Sequence, residues 1–302
     1  LSVNESVIII GTGEEARRLA RDVEKGAAPP LSLLDFAADA RGLRELLPRQ
    51  EDVAVVVAEA PSKDGALEAV AAAWEAGAPA YVAADILAEL APVASTVAIA
   101  GREFVPFPGV RRGLVRGLTK WLMDKLVAAA FIVILTPVWL PMFVAVKLDS
   151  RGPIIFRQKR VTRGRREFNM YKFRTMFASV PKYQQSPPGG DDIRVTRVGR
   201  LLRKLGLDET AQLINVVKGQ MSLVGPRPEM AREAAEYEPW QNLRLSVKPG
   251  ITGLWQIAGR ADRAIRESLE FDFYYIANQT PAMDARIFRK TIPILFGKGG
   301  GH

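Results

Sequence analysis

Two adjacent carboxylates, Asp208 and Glu209, open a stretch in which Leu213, Val216 and Val217 recur at helical spacing and Gly219 ends the pattern. Consecutive helical side chains point about 100° apart, so these acids cannot share one task face to face. The pair is either an ordinary helix start or a reaction centre. Asp208 also suits a helix N-cap and Glu209 a negatively charged first turn, so on these residues alone an ordinary helix start is the simpler reading. Downstream, Arg227 stands between Pro226 and Pro228. A residue before proline is confined to extended backbone, which presents the guanidinium with little freedom left to lose and suits a bidentate grip on phosphate. A rigid turn with a solvent-facing Arg is the alternative. The loop KPGITGLWQIAGR, with Trp255 and Arg260, either binds a ligand or merely turns.

Other chemistries are poorly supplied. There is no Cys, and the one His is His302, in a GKGGGH terminus. Thiolate nucleophiles, Ser-His pairs and histidine metal clusters are therefore not expected, which leaves carboxylates, Arg, Lys, hydroxyls or a cofactor. The net charge of +9 divides unevenly: residues 1–105 carry 9 basic and 17 acidic residues, and residues 106–302 carry 33 and 16. A basic half can meet nucleic acid, an anionic membrane or a phosphorylated substrate, and charge does not choose among them.

The elements that must position these residues read as an α/β chain. In residues 1–105 the runs SVIII, LSLLDF, AVVVA, AYVA and TVAIA alternate with helical patterns, predicting a Rossmann-like parallel sheet. Gly11-Thr12-Gly13-Glu14-Glu15-Ala16 fits G-x-G-x-x-A after the first strand, with Asp35 as a candidate ribose ligand. Glu14 and Glu15 would crowd a pyrophosphate, so a tight turn without a ligand is the favoured reading. Residues 106–120 form a linker and amphipathic lead-in.

Residues 126–146 are free of charge and long enough to cross a bilayer core, within a predicted membrane segment at 121–150. Basic residues flank both ends, which the positive-inside rule would keep on one side, and Pro137 and Pro141 interrupt the middle. A re-entrant helix that turns at Thr136-Pro137 satisfies both facts. A kinked spanning helix and a buried core helix are the alternatives. From 151 to 302 follow a basic β-hairpin around TRGRR, then a short basic helix with Arg200, Arg203 and Lys204 closed by Gly206, then the acidic pair. The stretch SLEFDFYYIANQTPAMDARIFRKTIPILFG reads as amphipathic helices on the membrane or over the site, with Asp272 and Tyr275 structural.

Four linked motifs resemble one family. These are FNMYKFRTM, Arg203 to Glu209 as R-x-x-x-x-D-E, QLINVVKGQMSLVGPRP, and KPGITGLWQIAGR, and together they are similar to the bacterial monotopic phosphoglycosyl transferases over about residues 116–297. The front domain resembles the Rossmann-like module of longer members, whose membrane helices would precede Leu1. The resemblance implies a mostly helical α+β monotopic catalytic domain with a re-entrant helix, at the cytoplasmic face of the bacterial inner membrane. It implies transfer of a sugar 1-phosphate from a nucleotide sugar, usually a UDP-sugar, to polyprenyl phosphate, with release of the nucleoside monophosphate. Asp208 would be the nucleophile, giving an aspartyl-phosphosugar intermediate and ping-pong kinetics. Glu209 would hold Mg²⁺, and Arg203, Arg227, Lys172, Arg174 and Arg260 would contact phosphate or substrate. Membrane lipid is an expected partner and nucleic acid is not; a homodimer is one candidate assembly. A membrane-anchored basic scaffold or nucleic-acid-binding module is the competing class. Two positions depart from the family pattern: Thr210 in place of the usual Leu, and Gln220 where many members carry an acid.

Overall fold

Four branched apolar runs form a parallel sheet. They are β1 (Glu5–Ile10), β2 (Leu31–Ala37), β3 (Val53–Val57) and β4 (Ala80–Ala83), in the order β2-β1-β3-β4. Helices α1 (Glu14–Glu24), α2 (Ala40–Leu46) and α3 (Lys63–Glu75) connect them. Every residue of β3 is buried, as a parallel strand covered on both faces requires. The sheet ends differently from the expectation. β5 (Val97–Ile99) and β6 (Arg102–Phe107) are antiparallel, with β6 paired to β4. Ala100 and Gly101 join β5 to β6, both at positive φ, and a two-residue connection makes a hairpin and cannot make a crossover.

The computed structural model describes residues 5–25, 31–47, 53–109, 114–181, 192–258 and 265–295. It divides into two compact units. One takes Leu1–Arg111 together with Glu238–Leu243 and Leu269–Asn278, and the other takes Arg112–Tyr237, Arg244–Ser268 and Gln279–His302.

In the first unit the Gly11-Thr12-Gly13 turn does lead into α1, but its amides already hold an anion. Glu59, just beyond β3, accepts the backbone N–H of Gly13 (2.6 Å) through Oε2 and those of Glu15 (2.9 Å) and Ala16 (3.4 Å) through Oε1. A helix N-terminus stabilises one carboxylate or phosphate, and here an internal carboxylate has the place a pyrophosphate would need. Asp35 accepts the N–H of Phe36 (2.7 Å).

The second unit begins with α4 (Leu114–Asp149), whose 36 residues include Pro137 and Pro141. Proline removes a helical donor, and Thr136 bonds its hydroxyl to the Ile132 carbonyl (2.7 Å) in the turn before Pro137. Ala128, Trp139, Met142 and Val146 are buried at helical intervals, while Val133, Ile134, Leu140, Val144 and Leu148 are exposed. Only 17% of its apolar window is buried. A water-facing helix with that surface would be unfavourable, so α4 gives the chain a membrane association. Asp124 near its start accepts from Ser222 Oγ (2.7 Å) and Leu223 N (3.3 Å), and Asp149 at its end accepts from Val198 N (2.9 Å).

Strands β7 (Ile155–Thr162) and β8 (Arg166–Phe173) pair antiparallel across Arg163–Arg165, forming the expected basic hairpin. Helix α5 (Arg197–Lys204) follows, capped by the Thr196 hydroxyl on Gly199 N (3.0 Å). Then come α6 (Leu213–Val217), β9 (Ser222–Val224), α7 (Ala231–Ala235), β10 (Gly250–Thr252) parallel to β9, and α8 (Leu254–Ile257). Two helices end the described chain, α9 (Leu269–Asn278) and α10 (Pro281–Leu295).

Helix α9 corrects an expectation. It is no amphipathic surface helix: Leu269 to Ile276 are all buried, inside the first unit. Phe273 stacks on Trp74 at 5.6 Å between ring centroids, and Glu270, with no exposed side-chain surface, pairs with Lys63 (3.0 Å). The reason is visible in LEFDFYYI, which is apolar or aromatic on every face, and such a helix is stable only when enclosed.

Candidate active site

The acidic pair lies between the basic helix and α6, though not at an α-helix N-terminus. Leu207–Gln212 is a 3-10 segment entered from Gly206 in the left-handed conformation (φ 63°), and the α-helix starts only at Leu213. Gly206 closes α5 as expected, and its turn leaves no extended N-cap position for Asp208. The N-cap reading is thus replaced by a tighter turn that carries both acids.

Two basic residues gather at this turn. Lys172, near the end of β8, bonds Glu209 Oε1 through Nζ (2.6 Å). Arg203, one α-helical turn before Gly206, donates from Nε to Thr175 Oγ1 (2.9 Å). A side chain at Gly199 would overlap the Thr175 carbonyl, so glycine is what lets α5 approach closely enough for this contact. Lys172 and Arg203 also act on Asp208 by charge. Part of the Asp208 surface reaches solvent, yet protein surrounds its carboxylate densely, and burial pushes its pKa up to about 6. Lys172 works against that rise, Glu209 adds to it and Arg203 again opposes it. An acid with this pKa is mostly ionised at neutral pH and less heavily solvated than a free carboxylate, a useful state for a nucleophile.

The remaining expected residues divide. Arg227 sits with its guanidinium carbon 5.0 Å above the Trp255 ring, a cation–π contact that holds it in place. Arg174 is used elsewhere. It is 5% exposed and donates to the carbonyls of Val146, Ser150 and Arg151, closing the C-terminal end of α4. Helix ends carry carbonyls that need donors, and Arg174 meets that need. Arg260 lies outside the described residues. Thr210 bonds the Leu207 carbonyl (2.6 Å) and accepts from Trp139 Nε1 (3.1 Å), joining the acidic turn to α4 just beyond Pro137. Gln220 serves the hairpin: its Oε1 accepts from Asn215 Nδ2 (2.8 Å), which also reaches the Asn169 carbonyl (2.7 Å).

Arg160 was not anticipated as a site residue. It feels the charges of Glu229, Arg227 and Glu209, and donates to the carbonyl of Pro228 (3.1 Å). The signal was present, because Arg160 continues the Phe156, Gln158 face of β7. A charge on the inward face of a strand marks a group held for a purpose. Trp255 Nε1 and Gln256 Oε1 are buried with no hydrogen-bond partner among the described residues. An unpaired buried polar atom costs about 1–3 kcal/mol, which favours the ligand-binding alternative for this loop.

Residues 115–298 match the bacterial sugar transferase family. Among similar proteins, the UDP-N-acetylgalactosamine-undecaprenyl-phosphate N-acetylgalactosaminephosphotransferase of Aeromonas hydrophila is 42% identical over 185 residues. That alignment covers 59% of this chain and 44% of the relative, so the chain spans less than half of that protein's length. The exopolysaccharide production protein ExoY of Sinorhizobium fredii is 36% identical over 201 residues, covering 62% of this chain and 89% of the relative. The UDP-glucose:undecaprenyl-phosphate glucose-1-phosphate transferase of Xanthomonas campestris pv. campestris is 38% identical over 201 residues, covering 63% and 41%.

Proposed function

The chain belongs to the bacterial sugar transferase family, and from that premise we propose that it moves a sugar 1-phosphate from a UDP-sugar to polyprenyl phosphate in exopolysaccharide or related glycan synthesis. The observation that carries this reading is the Asp208-Glu209 turn, a desolvated carboxylate beside a second acid, with Lys172 and Arg203 facing it.

In the proposed reaction an Asp208 oxygen attacks the sugar-bearing phosphorus, and the bond from that phosphorus to the bridging oxygen breaks. UMP leaves with the electron pair, and Asp208 carries the sugar phosphate as an acyl phosphate. A phosphate oxygen of the lipid then attacks the same phosphorus and releases the carboxylate. Arg203 and Arg227 would hold the diphosphate oxygens, and Lys172 would keep Glu209 turned toward the reacting phosphate.

The residues present also fit Mg²⁺. Glu209 supplies hard oxygen ligands beside the Asp208 nucleophile, and among the described residues no cluster of three or more His, Cys, Asp or Glu is present. That set suits a cation which takes one or two carboxylates and completes its shell with waters and substrate phosphates. When bound, the ion would neutralise the diphosphate and ease departure of the monophosphate.

The re-entrant reading of α4 draws support from the anchoring of both ends on one unit, at Ser222 and at Val198. A straight crossing would carry those ends to opposite sides of the bilayer. The basic flanks favour the cytoplasmic face. Because the chain has no Cys, single cysteines at positions 120 and 150 can be labelled from each side of sealed vesicles. Both should react from the same side, and reaction from opposite sides would exclude the re-entrant path.

The reaction itself is tested with a panel of UDP-sugars and polyprenyl phosphate, measuring UMP release and radiolabelled lipid product. At least one sugar should give both in equal amounts. If no sugar does so, the reading fails.

A further inference from the structure

Four consecutive carbonyls after Gly225 are each held by a different donor. Pro226 O accepts from Gly250 N (2.8 Å), Arg227 O from Arg244 Nη2 (2.9 Å), Pro228 O from Arg160 Nη1 (3.1 Å) and Glu229 O from Val161 N (3.0 Å). Two of these donors are backbone groups of strands, as a sheet would supply. The other two are arginines, and Arg244 has no exposed side-chain surface at all.

A buried guanidinium is costly unless its charge and its hydrogens are all matched, so its retention asks for a reason. Arg244 is matched closely. Its Nη1 donates to Tyr237 Oη (2.6 Å) and lies 3.4 Å from Glu229 Oε2, while Tyr237 donates to the same Glu229 oxygen (2.6 Å). Burial holds the Tyr237 hydroxyl protonated far above its ordinary range, so it remains the donor to Glu229. Glu229 is 2% exposed and also accepts the N–H of Met230 (2.9 Å). Glu229 also shares a hydrogen bond with the half-buried Glu233, and the Nη2 bond of Arg244 carries the group to the backbone of Arg227.

We infer that Arg244 is a positioning residue: anchored on Glu229 and Tyr237, it fixes the Arg227 peptide so that the Arg227 side chain meets phosphate without first being ordered. The inference rests on the proposed phosphate-binding role of Arg227. The two flanking prolines limit the torsions of this segment, the Trp255 ring steadies the guanidinium, and Arg244 determines where the segment sits. Lysine cannot replace it, because one ammonium cannot span Tyr237 Oη and Arg227 O in the planar geometry that a guanidinium offers.

The test is a double-mutant cycle on the full chain in lipid nanodiscs, measuring kcat and KM for the UDP-sugar with Arg244→Lys, Arg227→Lys and the pair. Arg244→Lys should lower kcat by roughly 10- to 100-fold, the scale of a misplaced binding group, with KM changed by less than about threefold. On the Arg227→Lys background the same change should cost less than about twofold. Equal, multiplicative losses on both backgrounds would show a merely structural residue and overturn the inference. Wild-type kcat in Arg227→Lys would remove the premise instead, a result distinguishable because it needs no Arg244 variant. If Arg244→Lys does not fold, Tyr237→Phe keeps the cation and removes the hydroxyl between it and Glu229. Its loss in kcat should likewise vanish on the Arg227→Lys background, and persistence of that loss would overturn the inference.

Discussion

Asp208→Asn is expected to abolish sugar-phosphate transfer, by about 10⁴-fold or more, while making the protein harder to unfold at neutral pH. The first effect is that of deleting a nucleophile, since the amide cannot form the acyl phosphate. The second follows from the sign of the pKa shift. The Asp208 carboxyl is raised from 3.8 to about 6, so as pH climbs between those values the unfolded chain releases this proton while the folded chain keeps it. The associated stability is fully present below about pH 4 and lost by the time pH passes 6. Asparagine carries no charge at any of these pH values and so escapes the loss. The expected gain is about 1–2 kcal/mol at pH 7.5, less than the full shift would imply because part of the residue reaches solvent, and a few degrees in unfolding midpoint. Near pH 4 the two proteins should unfold together. Thermal unfolding at both pH values and UMP release with intact enzyme check the two halves. Residual turnover near the wild-type rate would reject the nucleophile, and equal midpoints at pH 7.5 would reject the buried-charge account of its pKa.

Glu209→Gln is expected to lower kcat by about 10²- to 10³-fold, the range seen when one charged stabiliser of a transferring group is lost. It should also move the acid limb of the pH–rate profile. In the wild type that limb should fall near pH 6, where Asp208 ionises. Removing the negative charge of Glu209 relieves the repulsion that raises Asp208, and leaves Lys172 without its carboxylate partner, so the limb moves to lower pH. Lys172→Met removes the largest attraction acting on Asp208 and should move the limb the other way. A rate profile of kcat/KM between pH 5 and 8 for the three proteins checks this. Limbs that coincide would mean that the titrating group is elsewhere.

Much of this was legible in residue order because its causes are local. Gly206 ends α5 for want of a Cβ, TRGRR turns a hairpin, and β-branched runs such as VAVVV make buried strands. The acidic pair was legible as a site from its basic surroundings and linked motifs. Three features escaped for reasons that are not local. The 3-10 geometry at Leu207–Gln212 depends on how closely β8 and α5 hold the turn, and an acidic helix start looks the same in sequence. Arg174 and Arg203 are both arginines near the same motif, and only the position of the end of α4 decides that Arg174 caps carbonyls. Arg244 has no motif that distinguishes it from a surface arginine; its burial is a property of Glu229 and Tyr237 packing around it. The G-x-G-x-x-A turn shows the converse, since the pattern is present and Glu59, more than forty residues later, supplies the anion itself.

Helix α9 sets an order of events for a growing chain. The strands of the first unit leave the ribosome before the second unit does, and their local crossovers can close at once. The slot beside Trp74 has to wait for Phe273, nearly two hundred residues later, and Lys63 must wait for Glu270. Until then an indole and an apolar helix flank stay wet, while the apolar α4 has already emerged and can find lipid. The acidic module therefore begins folding before the catalytic unit and finishes only after most of that unit has emerged. A cut at its apparent sequence boundary yields an unfinished half on each side: a sheet missing the helix that seals it, and a loose aromatic helix with nothing to enclose it.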